Sequence, residues 1–362
     1  MIEFRDAPAF AKPTAPLTSR VAYAAAHVVP RTLAENVPGA PADIDWDATL
    51  AFRHHVWSGG LGVADAMDTA QRNMGLDWAA CTELIRRSAA EAASVGGALV
   101  VGVNTDHVAE AAISLDAVVS AYLEQLEVAE DAGAGVVLMA SRHLARAAAT
   151  AADYERVYRE VLSRAGSPVV LHWLGEAFDA SLARYFGPSA GDTVIRIIEE
   201  NAATVSGIKM SLLDADAEIA LRERLPEAVR MFTGDDFNFV GLIESGSDAL
   251  LGAFAAVAPN ASAAIQRLDA GDVDGYRAIL APTEALSRQV FAAPTQFYKT
   301  GVAFLSWLNG HQPSFTMVGG LHSARSLPHL AEIVRLADAA GALELPELAA
   351  RRWNDLLKVN GL

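Results

Sequence analysis

The segment TVSGIKMSLL, Thr204–Leu213, decides how this chain is read. Val205–Ile208 has the character of a short buried strand, and it ends on Lys209, one of four lysines in 362 residues. A charged amine is costly in such a place unless it is paired or neutralised. The other three lysines are less conspicuous. Lys12 and Lys358 lie near the termini, and Lys299 reads as part of a polar helical region.

Working outward, seven more apolar runs share this character: RVAYAAAHVV, LGVADAM, GALVVGV, GVVLMA, PVVLHWL, AVRMFTG and DALLGAFAAV. Their spacing of roughly 20–40 residues fits βα units. The intervening stretches carry helical patterns. LDWAACTELIRRSAAEAAS and SLDAVVSAYLEQLEVAEDAG repeat apolar residues at i, i+3 and i+4, and the second has Ser114 as a cap and Gly133 at its end. Apolar residues at almost every strand position suit parallel strands covered on both faces. Eight units in order predict a (β/α)8 TIM barrel over residues 1–265, with a C-terminal helical extension over 266–362 packed on it. An open doubly wound sheet fits less well, because no glycine-rich phosphate fingerprint follows the first strand.

Composition narrows the function classes. Hydrophobic residues make up 52% of the chain, much of it alanine, yet no apolar run approaches the ~18–20 residues of a membrane span. VAYAAAHVV, preceded by Glu3 and Asp6, reads as a strand rather than as the core of a secretory leader. A formal charge of −16 argues against nucleic acid or anionic lipid as partners. The single cysteine, Cys81, excludes an internal disulfide, fits the cytoplasm and lies on the packed face of a helix.

In a barrel of this kind the working residues sit at the C-terminal ends of strands. Those ends carry Asp65 and Asp68, then Asn104, Asp106 and His107, then Arg142 and His143. His172 and Trp173, Lys209, and Asp235 with Asp236 complete the set. Burial favours the free amine of Lys209, the form that attacks a carbonyl. An ammonium paired with Asp235 or Asp236 across the mouth is an equal alternative on these grounds.

At this point the sequence resembles the superfamily of dihydrodipicolinate synthase and N-acetylneuraminate lyase, in a divergent branch. SGIKMS matches that superfamily's sixth-strand Schiff-base lysine. AEDAGAGVVLMA, FTGDD and LLGAFAAVAP resemble its fourth, seventh and eighth strands. The resemblance spans nearly the whole chain. It implies a lysine-dependent lyase or aldolase, needing no organic cofactor and no metal, and a homo-oligomer (dimer or tetramer). Two departures stand out. The superfamily's GTTGE loop is replaced by MDTAQ, Met67–Gln71, and its strand-five tyrosine by His172.

The resulting expectation places imine formation on Lys209 and proton transfer on His172, with His143 as a second carrier. Asp68, Thr69, Asn104, Asp106, Arg142, Trp173 and Asp235 would contact a small-molecule carbonyl substrate. Arg142 is the candidate for an anionic group, with Arg72 a weaker one. Asp68 would repel a 2-oxo acid, favouring a hydroxylated or sugar-derived carbonyl compound. Two other readings stand beside this one. Asp106, His107, His143 and His172 could hold a divalent metal, or the barrel could bind a metabolite without catalysis. His54 and His55 read as a solvated or interface face, and His311, His322 and His329 carry no assigned chemistry.

Overall fold

Every apolar run contributes a strand: β1 Ala22–Ala25, β2 Gly62–Asp65, β3 Leu99–Val103, β4 Gly135–Met139, β5 Val169–Leu174, β6 Val205–Ser211, β7 Arg230–Thr233 and β8 Asp248–Leu251. The strands pair in parallel and in chain order, and β8 closes on β1 through Tyr23↔Leu250. The computed structural model, which describes residues 3–362, is therefore the expected (β/α)8 barrel with further helices at its C-terminal end.

Local sequence sets the helix ends. Ser114 accepts the Ala117 N–H to start helix Leu115–Asp131, and Gly133, at φ +72, takes the chain out of it. Asp77 and Gly96 play the same parts for helix Trp78–Val95. Inside the barrel, Ala25, Ala64, Val100, Val137, Met139, Val170, Phe232 and Leu250 pack with Tyr23. Gly62 is required beside that ring, since a Cβ there would lie 2.4 Å from the Tyr23 side chain. The larger apolar cluster fills the space between strands and helices. None of the helices among the described residues is long and apolar enough to cross a membrane.

Beyond the barrel's last helix, Ala258–Asp269, lie helices Val273–Val290, Tyr298–Leu308, Leu327–Ala339 and Pro346–Val359. The first is fastened to the β7 loop, where Ser287 Oγ donates to the Asp236 carbonyl at 2.6 Å. Its Glu284 carboxylate accepts the Val240 N–H at 2.9 Å. The connection to the next helix brings Phe291 and Tyr298 into a stack with centroids 4.3 Å apart. Phe178, from the loop after β5, packs edge-on against both rings. The C-terminal region thus meets the loops at the C-terminal ends of the strands.

Candidate active site

Strand alternation decides which side chains reach the barrel mouth. Val170 points inward, so His172, two residues on, shares that face at the end of β5. His172 stands in register with Lys209 on β6. Lys209 is buried, and desolvation lowers its pKa from 10.5 to about 8, against the opposing pull of Asp236 and then Asp68. Both carboxylates act on the amine through space, without a hydrogen bond. The alternative ion pair with Asp235 or Asp236 is therefore not formed among the described residues. Gly234 leaves room for the lysine: a Cβ there would lie 2.7 Å from Lys209 Cε and 2.1 Å from Ser211 Oγ.

Two buried groups flank the amine. His172 Nε2 lies 3.3 Å from Ser211 Oγ, while Nδ1 has no hydrogen-bond partner. Burial, reinforced by Lys209, holds this imidazole well below its usual pKa, so it is neutral. Asp236 accepts the Ala253 N–H at 2.8 Å, and burial raises its carboxyl to about 7. Near neutral pH the mouth thus holds a weakened ammonium and a reluctant carboxylate able to exchange a proton, beside an imidazole that burial keeps neutral.

The turn after β2 builds the opposite side. Thr69 Oγ1 and the Tyr298 hydroxyl are 2.8 Å apart, and Lys299 Nζ donates to Asp68 at 2.7 Å. Burial first, and then Asp68, push the Tyr298 phenol well above its ordinary pKa, so it stays protonated. Lys299 is 1% exposed, not part of a polar surface as the sequence suggested. Its helix, YKTGVAFLSWL, is buried on nearly every side, and that composition was the available signal. Lys299 also offsets the Asp68 charge, which weakens the argument that the mouth excludes a 2-oxo acid.

Asp68, Asn104 and Arg142 line a cavity of about 220 Å³ together with Phe178, Asp179 and Gln296. Arg142 is paired with Asp179 there. The other candidates are engaged elsewhere. Asp106 forms a two-point ion pair with buried Arg72, which also donates to the Ala66 and Gly102 carbonyls. Asp65 is likewise tied to Arg53 and Ser88. Asp235 accepts the N–H groups of Phe237 and Asn238, so it shapes the β7 loop. Trp173 points away from His172 and packs edge-on against Phe186, as period-two alternation requires. His143 is bound at both nitrogens, by the Thr105 hydroxyl at 2.8 Å and the Glu110 carbonyl at 3.0 Å. Its Nε2 must donate to that carbonyl, because a carbonyl oxygen only accepts. His107 lies with Glu124 and Gln125. Asp106, His107, His143 and His172 therefore do not converge on one metal position.

The family described as "Protein of unknown function (DUF993)" matches residues 1–362. No curated relative matches by sequence. Solved structures match in fold. The dihydrodipicolinate synthase of Thermotoga maritima aligns at TM-score 0.70 and 15% identity, covering 90% of this chain and 100% of its own. The Aquifex aeolicus dihydrodipicolinate synthase aligns at 0.69 and 13%, covering 90% and 99%. The 4-hydroxy-tetrahydrodipicolinate synthase of Methylacidiphilum fumariolicum SolV aligns at 0.69 and 16%, covering 91% and 99%. At these identities the likeness establishes the shared barrel with its C-terminal helices.

Proposed function

We propose that the chain, which belongs to the DUF993 family, is a class I lyase or aldolase that forms an imine between Lys209 and a small oxo acid or sugar-derived carbonyl compound. The observation that carries this reading is the state of Lys209: buried, without a hydrogen-bonded carboxylate, and lowered to about 8. About one amine in ten is then free at pH 7, against fewer than one in a thousand for an ordinary lysine.

In the first step the free amine attacks the carbonyl carbon, and the oxygen takes up a solvent proton to become the hydroxyl of a carbinolamine. The unpartnered Nδ1 of His172 takes the proton released from nitrogen. That proton returns as the hydroxyl leaves as water, and the protonated imine forms. Bond cleavage then delivers an electron pair into the imine, which is the electron sink. Asp68, Thr69 and Asn104 orient substrate oxygens. Tyr298, kept protonated and bound to Thr69, donates a hydrogen bond on that side. Arg142 and Lys299 supply positive charge for an anionic substrate. The superfamily resemblance extends the proposal to a homo-oligomer, a dimer or tetramer, which light scattering tests.

Reductive trapping tests the chemistry. The protein is incubated with 2-oxo acids, ketoses and keto-sugar acids, then with borohydride, and its peptides are mass-mapped. The expected result is a substrate-dependent adduct on Lys209 that Lys209→Ala abolishes. An adduct confined to Lys299, or none across the panel, overturns the proposal.

A further inference from the structure

Three side chains from distant parts of the chain, none of them in a loop directly following a strand, meet outside the set that lines the mouth. His55 lies in the last turn of helix Trp46–Ser58. His311 follows helix Tyr298–Leu308, and Glu344 comes just before helix Pro346–Val359. One ligating atom of each lies within 4.8 Å of the others. Both imidazoles aim Nε2 at the same oxygen, Glu344 Oε1, at 2.8 Å from His311 and 3.5 Å from His55.

We propose that His55, His311 and Glu344 bind a zinc-class divalent cation, at a site separate from the barrel mouth and independent of the chemistry proposed there. Two imidazoles and a carboxylate form a recurring three-ligand set for this ion. With bonds of about 2.0–2.1 Å, tetrahedral ligand atoms stand roughly 3.3 Å apart. The two distances to Glu344 Oε1 bracket that separation and the two imidazoles' ligating atoms lie within 4.8 Å of each other, so side-chain rotation admits the ion.

The surroundings support ligation in three ways. Phe52 packs against both imidazoles, with centroids 6.0 Å from His55 and 5.5 Å from His311, which limits ring rotation. Asn309 fixes the carboxylate's backbone: its Oδ1 accepts the Glu344 N–H at 3.0 Å, and its Nδ2 donates to the Ala342 carbonyl at 2.9 Å. His55 and Glu344 also line a cavity of about 390 Å³, which gives the ion an entry route and room for a water as fourth ligand. Burial favours the neutral, metal-binding form of His55. Glu344 resists its own burial because His311 holds it ionised. Lys12 lines the same cavity and, among the described lining residues, is the one basic side chain besides His55.

A hydrogen-bonded trio would account for the same contacts, so the test must separate packing from ligation. The full-length protein is stripped with chelator, titrated with zinc sulfate against a chromophoric competitor, desalted and assayed for zinc by mass spectrometry. The expected result is one zinc per chain and a melting temperature that rises with zinc. Glu344→Gln and His311→Ala should each weaken binding at least about tenfold, the loss that even outer-shell changes cause at metal sites. His55→Gln serves if either variant misfolds by circular dichroism. Trapping at Lys209 stays unchanged in all three. Failure of the native chain to retain zinc, or equally tight binding by the variants, overturns the proposal.

Discussion

Replacing Lys209 with methionine should stabilise the protein, and the gain should depend on pH. The ammonium is pushed from 10.5 to about 8 mainly by burial. At pH 7 the folded state therefore carries a protonation penalty of about 3 kcal/mol relative to the unfolded chain. Between pH 8 and 10.5 the unfolded state binds more protons than the native state, so native stability rises with pH in that window. By pH 10 the remaining penalty is below about 1 kcal/mol. Methionine matches the lysine stem in volume and carries no charge, so Lys209→Met removes the penalty without opening a large cavity. Urea unfolding of both proteins at pH 7 and pH 10 reads the difference. The variant should be more stable at pH 7, by up to about 3 kcal/mol, and the gain should shrink by about 2 kcal/mol at pH 10. A variant less stable at pH 7, or a gain equal at both pH values, would refute the claim that burial holds this amine near neutrality.

Four further outcomes follow from the same geometry. Asp236→Asn removes the charge that most opposes the lowering of Lys209, so the pH midpoint of borohydride trapping should move below about 8. Tyr298→Phe deletes the hydrogen bond to Thr69 and should slow trapping while costing about 1 kcal/mol in thermal unfolding. Lys299→Met leaves the Asp68 carboxylate without its partner and should cost about 3 kcal/mol, part of which Asp68→Asn restores in the double variant. Gly234→Ala puts a methyl 2.7 Å from Lys209 Cε, so trapping should be lost with the far-ultraviolet circular dichroism unchanged.

The barrel was legible because each strand is a short apolar run and each helix announces its cap, as Ser114 and Gly133 show. The position of Lys209 was legible for the same reason. What escaped was the direction of polar residues after each strand. Such a residue can face the mouth, as Asp68 and Asn104 do, or be consumed by its own loop, as Asp235 is. Those outcomes depend on loop backbone geometry that composition does not encode. Trp173 was different: alternation with His172 already assigned it to the other face. Tyr298 and Lys299 were hidden by distance, since nothing in a linear reading ties them to a turn 231 residues earlier. His55, His311 and Glu344 share that obstacle.

The contact between Asp68 and Lys299 also bears on how the molecule is made. During synthesis the first two strands leave the ribosome long before the segment that neutralises their turn. Until residue 299 arrives, the Asp68 carboxylate has no hydrogen-bonded cation and Thr69 has no phenol beside it. Closing so long a loop carries an entropic cost that the local βα units do not meet. The barrel can thus assemble in advance of its own mouth, and the last quarter of the chain completes the site.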